Sequence, residues 1–151
     1  MKLKLVPVND ENRPQALSLS VGIGQEHFIE TVEECLSDAS KNSDWQPVCI
    51  YDEDKMIGFA MYGYIQIPGV YQVWFDRFLI DHRYQHMGYG KASVQAVIDE
   101  LHRQFPGKDL YLSVYKDNPV AIPLYESFGF KENGERDING EHVMVLDSHN
   151  N

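Results

Sequence analysis

Seven segments of the chain have the alternating or continuous apolar patterns that predict β-strands. Charged residues 52–55 form a hairpin turn between the second and third of these strands, and Pro68-Gly69 turns the chain before the fourth. Asn139-Gly140 is typical of the tight turn in an antiparallel hairpin and joins the last two. The predicted strands are residues 2–8, 47–51, 56–67, 71–80, 110–115, 130–134 and 142–146.

Four further segments have the periodicity or the caps of helices. Residues 13–19 predict a short helix, and residues 25–39 predict a second one with an apolar face. Residues 90–105 repeat apolar side chains at helical spacing until Pro106-Gly107. Asp117 or Asn118 caps a fourth helix, with Pro119 at its first position and Gly129 just beyond its end. The resulting order is β-α-α-β-β-β-α-β-α-β-β, which indicates the α/β class.

Length and composition indicate one globular domain over residues 1–151. The chain has 151 residues, of which 43% are hydrophobic, and this is enough for an adequate core. Its net charge of −10 makes nucleic acid and anionic membrane surfaces poor partners and suits a cationic substrate. Acidic soluble proteins are common, however, so the charge by itself distinguishes little.

The lack of a recognisable targeting signal and the use of cysteine predict a cytoplasmic protein. The N-terminal residues are too few and too polar for a signal peptide, and no apolar run reaches the roughly 20 residues of a membrane span. Cys35 and Cys49 lack the spacing of a redox motif and are interpreted as reduced core residues. His82 and His86 lie in a loop, and nothing else supplies ligands, so no metal site is predicted.

A Gln-x-x-Gly-x-Gly turn at residues 85–90 follows the apolar fourth strand and leads straight into the helical segment 90–105. Gly88 and Gly90 lack a Cβ atom, so the backbone can approach a phosphate closely. The first turn of the helix adds unpaired N–H groups and a partial positive charge. A lone Gly-x-Gly often marks only a tight turn, but here the flanking elements favour a pyrophosphate site.

About 30 residues downstream, Asn118 begins an Asn-x-x-Ala-x-x-x-Tyr-x-x-x-Gly-Phe pattern that ends at Phe130. Together the two motifs resemble the acetyl-CoA site of GNAT N-acetyltransferases, and the resemblance extends over nearly the whole chain. It implies a mixed, mostly antiparallel sheet flanked by helices, with the cofactor wedged between splayed central strands. Relatives often have Gly-Lys where this chain has His86-Met87, which is expected to alter phosphate affinity while leaving the backbone cradle intact.

The resemblance also implies roles for individual residues. Asn118 would contact the pantetheine arm, and Tyr125 would protonate the leaving thiolate, as a positioned phenol can. The alternatives are a helix cap for Asn118 and a core position for Tyr125. The residues expected to bind acetyl-CoA are Phe78, Leu79 and Ile80 through their backbone, Gln85, His86, Met87, Gly88, Tyr89, Gly90 and Lys91 in and beside the turn, and Asn118 and Tyr125.

An amine with a pKa near 10 must lose a proton before it attacks a thioester, and a carboxylate is a suitable base. Strand alternation would put Asp76 on the same face as Trp74, Phe78 and Ile80. An acid among so much apolar surface is expected to be paired or functional. We therefore interpret Asp76 either as a base or substrate anchor, or as one half of a structural ion pair with Arg77 or another cation.

The segment 74–81, with Tyr84-Gln85, Met61-Tyr62-Gly63, 25–30 and 139–145, looks like that of bacterial spermine/spermidine acetyltransferases. That likeness implies an acidic, aromatic-lined channel for a linear polycation, in which aromatic faces accept cations. A run of charges is usually a solvated helix face, so one or two of the glutamates Glu26, Glu30, Glu33 and Glu34 are expected to contact substrate. The other substrate-binding candidates are Tyr62, Tyr64, Trp74 and Asp76.

These residues predict direct transfer of acetyl from acetyl-CoA to a primary amine of a polyamine in a ternary complex. An activated Cys or Ser that would indicate a covalent intermediate is not evident. Two alternatives remain open: an acetyltransferase of the same fold acting on an aminoglycoside, amino acid or protein amine, and a catalytically silent acyl-CoA-binding module. The family resemblance adds the expectation of a homodimer.

Overall fold

The computed structural model describes residues 1–22 and 31–148. A short 3-10 turn, His82–Tyr84, lies between the fourth strand and the third helix. The elements are β1 (Leu3–Pro7), α1 (Arg13–Leu17), α2 (Val32–Lys41), β2 (Trp45–Asp52), β3 (Lys55–Ile67), β4 (Val70–Ile80), α3 (Tyr89–Gln104), β5 (Leu110–Val114), α4 (Ala121–Glu126), β6 (Lys131–Arg136) and β7 (His142–Leu146).

The described strands form one sheet in the order β1-β2-β3-β4-β5-β7-β6. Neighbouring strands are antiparallel except for β4 and β5, which run parallel. This confirms the predicted mixed, mostly antiparallel sheet. The parallel pair is short, because only Val73 and Trp74 of β4 are in register with Leu110 and Tyr111 of β5. Beyond these positions the two central strands diverge.

Helices cover both faces of the sheet and create two apolar cores. On one face, α3 packs against the sheet through residues such as Val94, Val97 and Leu101, and α4 adds Tyr125. On the other face, α1 and α2 contribute a smaller core that includes Cys35 and Leu36. None of the helices within residues 1–22 and 31–148 has the length and apolar content of a membrane span.

Two predicted helix starts differ from the structure. The first six residues of the predicted 25–39 helix lie outside the described residues, and α2 begins at Val32 behind a capping box of Thr31 and Glu34. Helix α4 begins at Ala121, so the prediction of Pro119 as its first residue was wrong. The Asn118 side chain accepts hydrogen bonds from the N–H groups of Val120 and Ala121 (3.1 and 3.0 Å), and this turn precedes the helix.

A β-bulge at Asp76 changes which side chains of β4 share a face. Met61 pairs with Arg77 and Tyr62 pairs with Phe75, so Asp76 is the extra residue. The rings of Phe75 and Phe78 consequently meet on one face, with centroids 5.7 Å apart. The predicted common face of Trp74, Asp76, Phe78 and Ile80 was wrong, because strict alternation ends at the bulge. Bulges of this kind are frequent beside active sites.

Candidate active site

A cleft of about 320 Å³ opens where β4 and β5 diverge. Its walls are residues 75–80 of β4 and residues 112–115 at the end of β5. The turn that precedes α3 closes one end through Gln85, His86 and Gly90, and residues 118–121 with Leu124 and Tyr125 of α4 form the floor. The structure thus brings together, in one cleft, the two sequence motifs and the candidate base Asp76.

The turn before α3 forms a cradle of backbone N–H groups at the helix start. His86 and Gly88 both have left-handed backbone conformations, with φ of 64° and 85°, and Gly88 is the N-cap. Left-handed residues in a turn can direct successive N–H groups into a concave, anion-binding arrangement. The 16-residue helix α3, which follows the turn, adds its dipole. A pyrophosphate therefore fits this end of the cleft, as the spacing predicts.

The side chains of the turn contribute less than the sequence suggested. The Gln85 side-chain amide donates a hydrogen bond to the Ile80 carbonyl oxygen at 3.0 Å, and this bond stabilises the turn. Tyr89 is buried, and its hydroxyl donates to the Asp52 carboxylate at 2.6 Å, so only its backbone is available for phosphate. Met87 and Lys91 are exposed and lie outside the lining of the cleft, whereas His86 is part of that lining.

Residues 78–80 of β4 present their backbone to the cleft. On one side Phe78, Leu79 and Ile80 pair with β3, but on the other side the register with β5 ends at Trp74. In an extended strand the N–H and C=O groups of successive residues point alternately to the two edges, so part of the polar backbone of residues 78–80 faces away from β3. The edge that faces the cleft is therefore suited to an extended amide-bearing arm, which would add to β4 much as a strand does.

Tyr125 lies at the floor of the cleft and is 8% exposed. Its ring contacts the edges of Phe75 and Phe130, with centroid distances of 6.2 and 5.9 Å. Burial raises the pKa of the Tyr125 phenol well above its ordinary value, so the hydroxyl keeps its proton near neutral pH. The side chain is both a core residue and part of the cleft wall, which makes the two alternatives for Tyr125 compatible.

Asp76 contacts Arg77, and Arg77 also approaches Asp38 of α2 at 3.5 Å. Both Asp76 and Arg77 belong to the cleft wall, and their side chains are 16% and 18% exposed. The ion pair left open in the sequence analysis is thus present, and it coexists with a position from which Asp76 can contact an amine in the cleft.

The other substrate candidates are dispersed. Tyr62 is 2% exposed and packs in the α3 core, where burial raises its pKa to about 12, so the structure does not bring it to the cleft. Tyr64 makes an edge-to-face contact with Phe105, just beyond the end of α3, with ring centroids 5.3 Å apart. Trp74 stacks on Tyr111 at 5.5 Å, where the parallel pairing of β4 and β5 lies. These three side chains lie outside the lining of the cleft.

The glutamates of the predicted second helix divide into two groups. Glu33 and Glu34 are exposed in the first turn of α2, and the Glu34 carboxylate is engaged in the capping box with Thr31. Glu26 and Glu30 lie outside the described residues, so their predicted role stays a prediction.

The cleft includes residues that sequence reasoning missed. Glu141, in the turn before β7, and Ser113 of β5 both line it. Glu141 is held by Asp137, whose carboxylate accepts its N–H at 2.9 Å. Only the pairing of β5 with β7 brings this turn to the cleft, so no local sequence signal could have identified it.

Asp81 was also missed as a structural residue of the site. It is fully buried at the end of β4 and accepts hydrogen bonds from the Arg83 side chain at 2.7 Å and from the Ser20 N–H at 3.0 Å. Burial opposes ionisation of Asp81, but these hydrogen bonds outweigh it and hold the pKa of the carboxyl below its ordinary value of 3.8. Through these hydrogen bonds, Asp81 links the backbone at Ser20 to the 3-10 turn that precedes the phosphate cradle.

Asp81→Asn is expected to lower the free energy of unfolding by about 2–4 kcal/mol at pH 7, because an amide cannot satisfy all of these donors. Since the folded-state pKa is lowered, the stabilisation is complete above pH 4 or so and is lost as the pH falls through that pKa. Urea unfolding at several pH values should show the difference from wild type shrinking below this range. The exposed Asp99→Asn is the control, and a pH-independent difference would contradict this assignment.

The chain is similar to known proteins over most of its length. The model of the Acetyltransferase (GNAT) family matches residues 15–130. The spermine/spermidine N(1)-acetyltransferase of Bacillus subtilis (strain 168) is 43% identical over 149 residues, which are 96% of this chain and 98% of that protein.

Solved structures have the same fold. The spermidine N-acetyltransferase from Vibrio cholerae, solved in complex with CoA and spermine, gives a TM-score of 0.70 at 20% identity and covers 95% of this chain and 92% of its own. The ribosomal-protein-S18-alanine N-acetyltransferase from Escherichia coli gives 0.65 at 22% identity and covers 97% of this chain and 95% of its own. At these identities the likeness concerns the fold alone.

Proposed function

Because this chain belongs to the GNAT acetyltransferase family, we propose that it transfers the acetyl group of acetyl-CoA to a primary amine of a polyamine such as spermine or spermidine. The observation that carries this proposal is the cleft, in which Asp76, Tyr125 and the backbone cradle before α3 meet. The substrate class is supported by the name of the Bacillus subtilis relative, which matches almost the full length.

The residues of the cleft fit acetyl-CoA, which when bound supplies the acetyl group as a thioester. The N–H groups around Gly88 would hold the pyrophosphate, and the cleft-facing edge of residues 78–80 would pair with the pantetheine amides. Asn118 lies beside the same cleft, but its Oδ1 accepts from two backbone N–H groups, which leaves its amide nitrogen for the cofactor.

Two side chains would handle protons on opposite walls. Asp76, on β4, would accept a proton from the incoming ammonium, directly or through water. Tyr125, on α4, keeps its phenolic proton because it is buried, and would deliver it to the leaving thiolate. The roles require an ionised carboxylate and a neutral phenol at the same pH. The burial of Tyr125 raises the pKa of its phenol and keeps it neutral.

The acidic character of the chain supports a cationic acceptor. The net charge is −10, and Asp76 and Glu141 both line the cleft. A linear polyamine places ammonium groups at several points along its length, so carboxylates outside the reacting centre can add to its affinity. A homodimer, a cytoplasmic location and the lack of nucleic-acid partners stay predictions from the sequence.

The proposal is tested by steady-state CoA release from acetyl-CoA with spermine, spermidine, putrescine, an aminoglycoside and a lysine peptide. We expect kcat/KM for spermine or spermidine to exceed that for the aminoglycoside and the peptide by at least about 100-fold, a discrimination of roughly 3 kcal/mol. Equal or better turnover of another amine would refute the polyamine assignment. Tight acetyl-CoA binding without turnover of any amine would indicate a silent binding module.

A further inference from the structure

The carboxylate of Asp76, which the substrate amine would contact, is paired with the Arg77 side chain of the protein itself. Arg77 follows Asp76 directly in β4, and its guanidinium contacts the Asp76 carboxylate. The same guanidinium donates to the Asp76 carbonyl oxygen at 3.3 Å. Both side chains belong to the wall of the cleft, and both are less than one-fifth exposed. An ammonium group that enters the cleft therefore meets an ion pair rather than an isolated carboxylate.

The bulge in β4 is what makes this contact possible. In a regular strand, neighbouring side chains such as those of Asp76 and Arg77 would point to opposite faces of the sheet. Asp76 is the extra residue opposite Met61 and Tyr62, and a bulged residue re-aims its side chain. The bulge thus brings the carboxylate and the guanidinium to the same part of the cleft.

The Arg77 guanidinium also lies close to a second carboxylate, that of Asp38. Asp38 of α2 lies 3.5 Å from Nη2 of Arg77, and its side chain is 49% exposed. The distance is longer than that of a good charge-assisted hydrogen bond, so this contact can shorten if Arg77 turns away from Asp76. Arg77 has five N–H donors in a planar fork, and it can therefore exchange one carboxylate for another without being left unsatisfied.

We propose that Arg77 is a resident counter-ion of the amine site, which the ammonium group of the substrate displaces from Asp76 while Asp38 receives the guanidinium. This inference rests on the proposed function and adds two positioning residues to it. Arg77 competes with the substrate for Asp76, whereas Asp38 favours the displaced, amine-accepting arrangement. The two residues are therefore expected to affect amine affinity in opposite directions.

The test compares Arg77→Gln and Asp38→Asn in CoA-release assays with spermine. Arg77→Gln removes the competing charge but keeps a hydrogen-bond donor, and we expect KM for spermine to fall about three- to tenfold. Asp38→Asn weakens the alternative acceptor, and KM should rise by a similar factor. Arg77→Lys keeps the charge and should remain near the wild-type KM, while Asp99→Asn on the exposed face of α3 is the control for removing an acid.

Thermal unfolding gives a second readout that does not depend on turnover. The rise in Tm that spermine produces in the presence of CoA should be larger for Arg77→Gln than for the wild type and smaller for Asp38→Asn. A KM that rises or does not change in Arg77→Gln would overturn the proposal. If that variant does not fold, an unchanged KM in Asp38→Asn, whose side chain is half exposed, would overturn it equally.

Failure of the proposed function is recognised separately, because it concerns the wild type. A wild-type protein that acetylates none of the polyamines refutes the function, and this inference falls with it. A wild-type protein that acetylates polyamines, with Arg77 and Asp38 variants that shift KM in the same direction, refutes the counter-ion inference alone.

Discussion

Tyr125→Phe is expected to lower kcat by about 10²–10³-fold while leaving the affinity for acetyl-CoA within about a factor of three, the effect of removing a general acid without removing binding area. The phenol is buried at the floor of the cleft and retains its proton at neutral pH. Phe fills the same volume and keeps the edge contacts with Phe75 and Phe130. Single-turnover CoA release, with acetyl-CoA binding measured by calorimetry, separates the two quantities.

Tyr51→Phe is the matched control, because Tyr51 lies on β2 and outside the lining of the cleft. It should retain the wild-type kcat. If Tyr125→Phe also keeps a kcat within a few-fold of wild type, Tyr125 is a packing residue and the proton for the thiolate comes from elsewhere. A large fall in the Tm of Tyr125→Phe, accompanying its loss of activity, would likewise indicate that Tyr125 acts through packing.

Asp76→Asn is expected to lower kcat/KM for spermine by about 100-fold. The amide can neither accept the amine proton nor attract the ammonium group. Asn keeps the size of the side chain and an oxygen that can accept from Arg77. Steady-state CoA release with spermine, measured for both proteins at the same pH, gives the change in kcat/KM.

The alternative role of Asp76 as one half of a structural ion pair makes a different prediction. In that case Asp76→Asn lowers Tm, and the remaining folded protein has nearly normal kcat/KM. Arg77→Gln would then resemble it in both measurements. Opposite effects of the two variants on amine turnover, with similar Tm values, support a base or anchor at Asp76 and exclude a purely structural pair.

The secondary structure was predictable because its signals are local. Apolar periodicity identified α3, and turn residues such as Asn139-Gly140 separated the strands. The backbone geometry of the turn before α3 was predictable for the same reason, since the left-handed conformation at Gly88 and the start of α3 are adjacent in sequence. The start of α4 was misplaced by two residues, because the Asn118 side chain holds a turn that competes with the helix.

The site was predictable only in part, because its remaining features depend on segments far apart in the chain. The Asp76 bulge exists only in the register between β3 and β4, and it moved Phe78 onto the face of Phe75. Tyr62 became a core residue because α3 covers that face of the sheet.

By itself, the sequence determined the order of the elements, the cradle at residues 85–90, and the placement of Asn118 just before α4 and of Tyr125 within it, since each follows from neighbouring residues. Only the tertiary structure decided that β4 and β5 separate after two paired positions, that Arg77 joins Asp76 to Asp38, and that Glu141 reaches the cleft. These features arise from strand register and helix packing, in which each contact depends on all the others, and no local pattern encodes them.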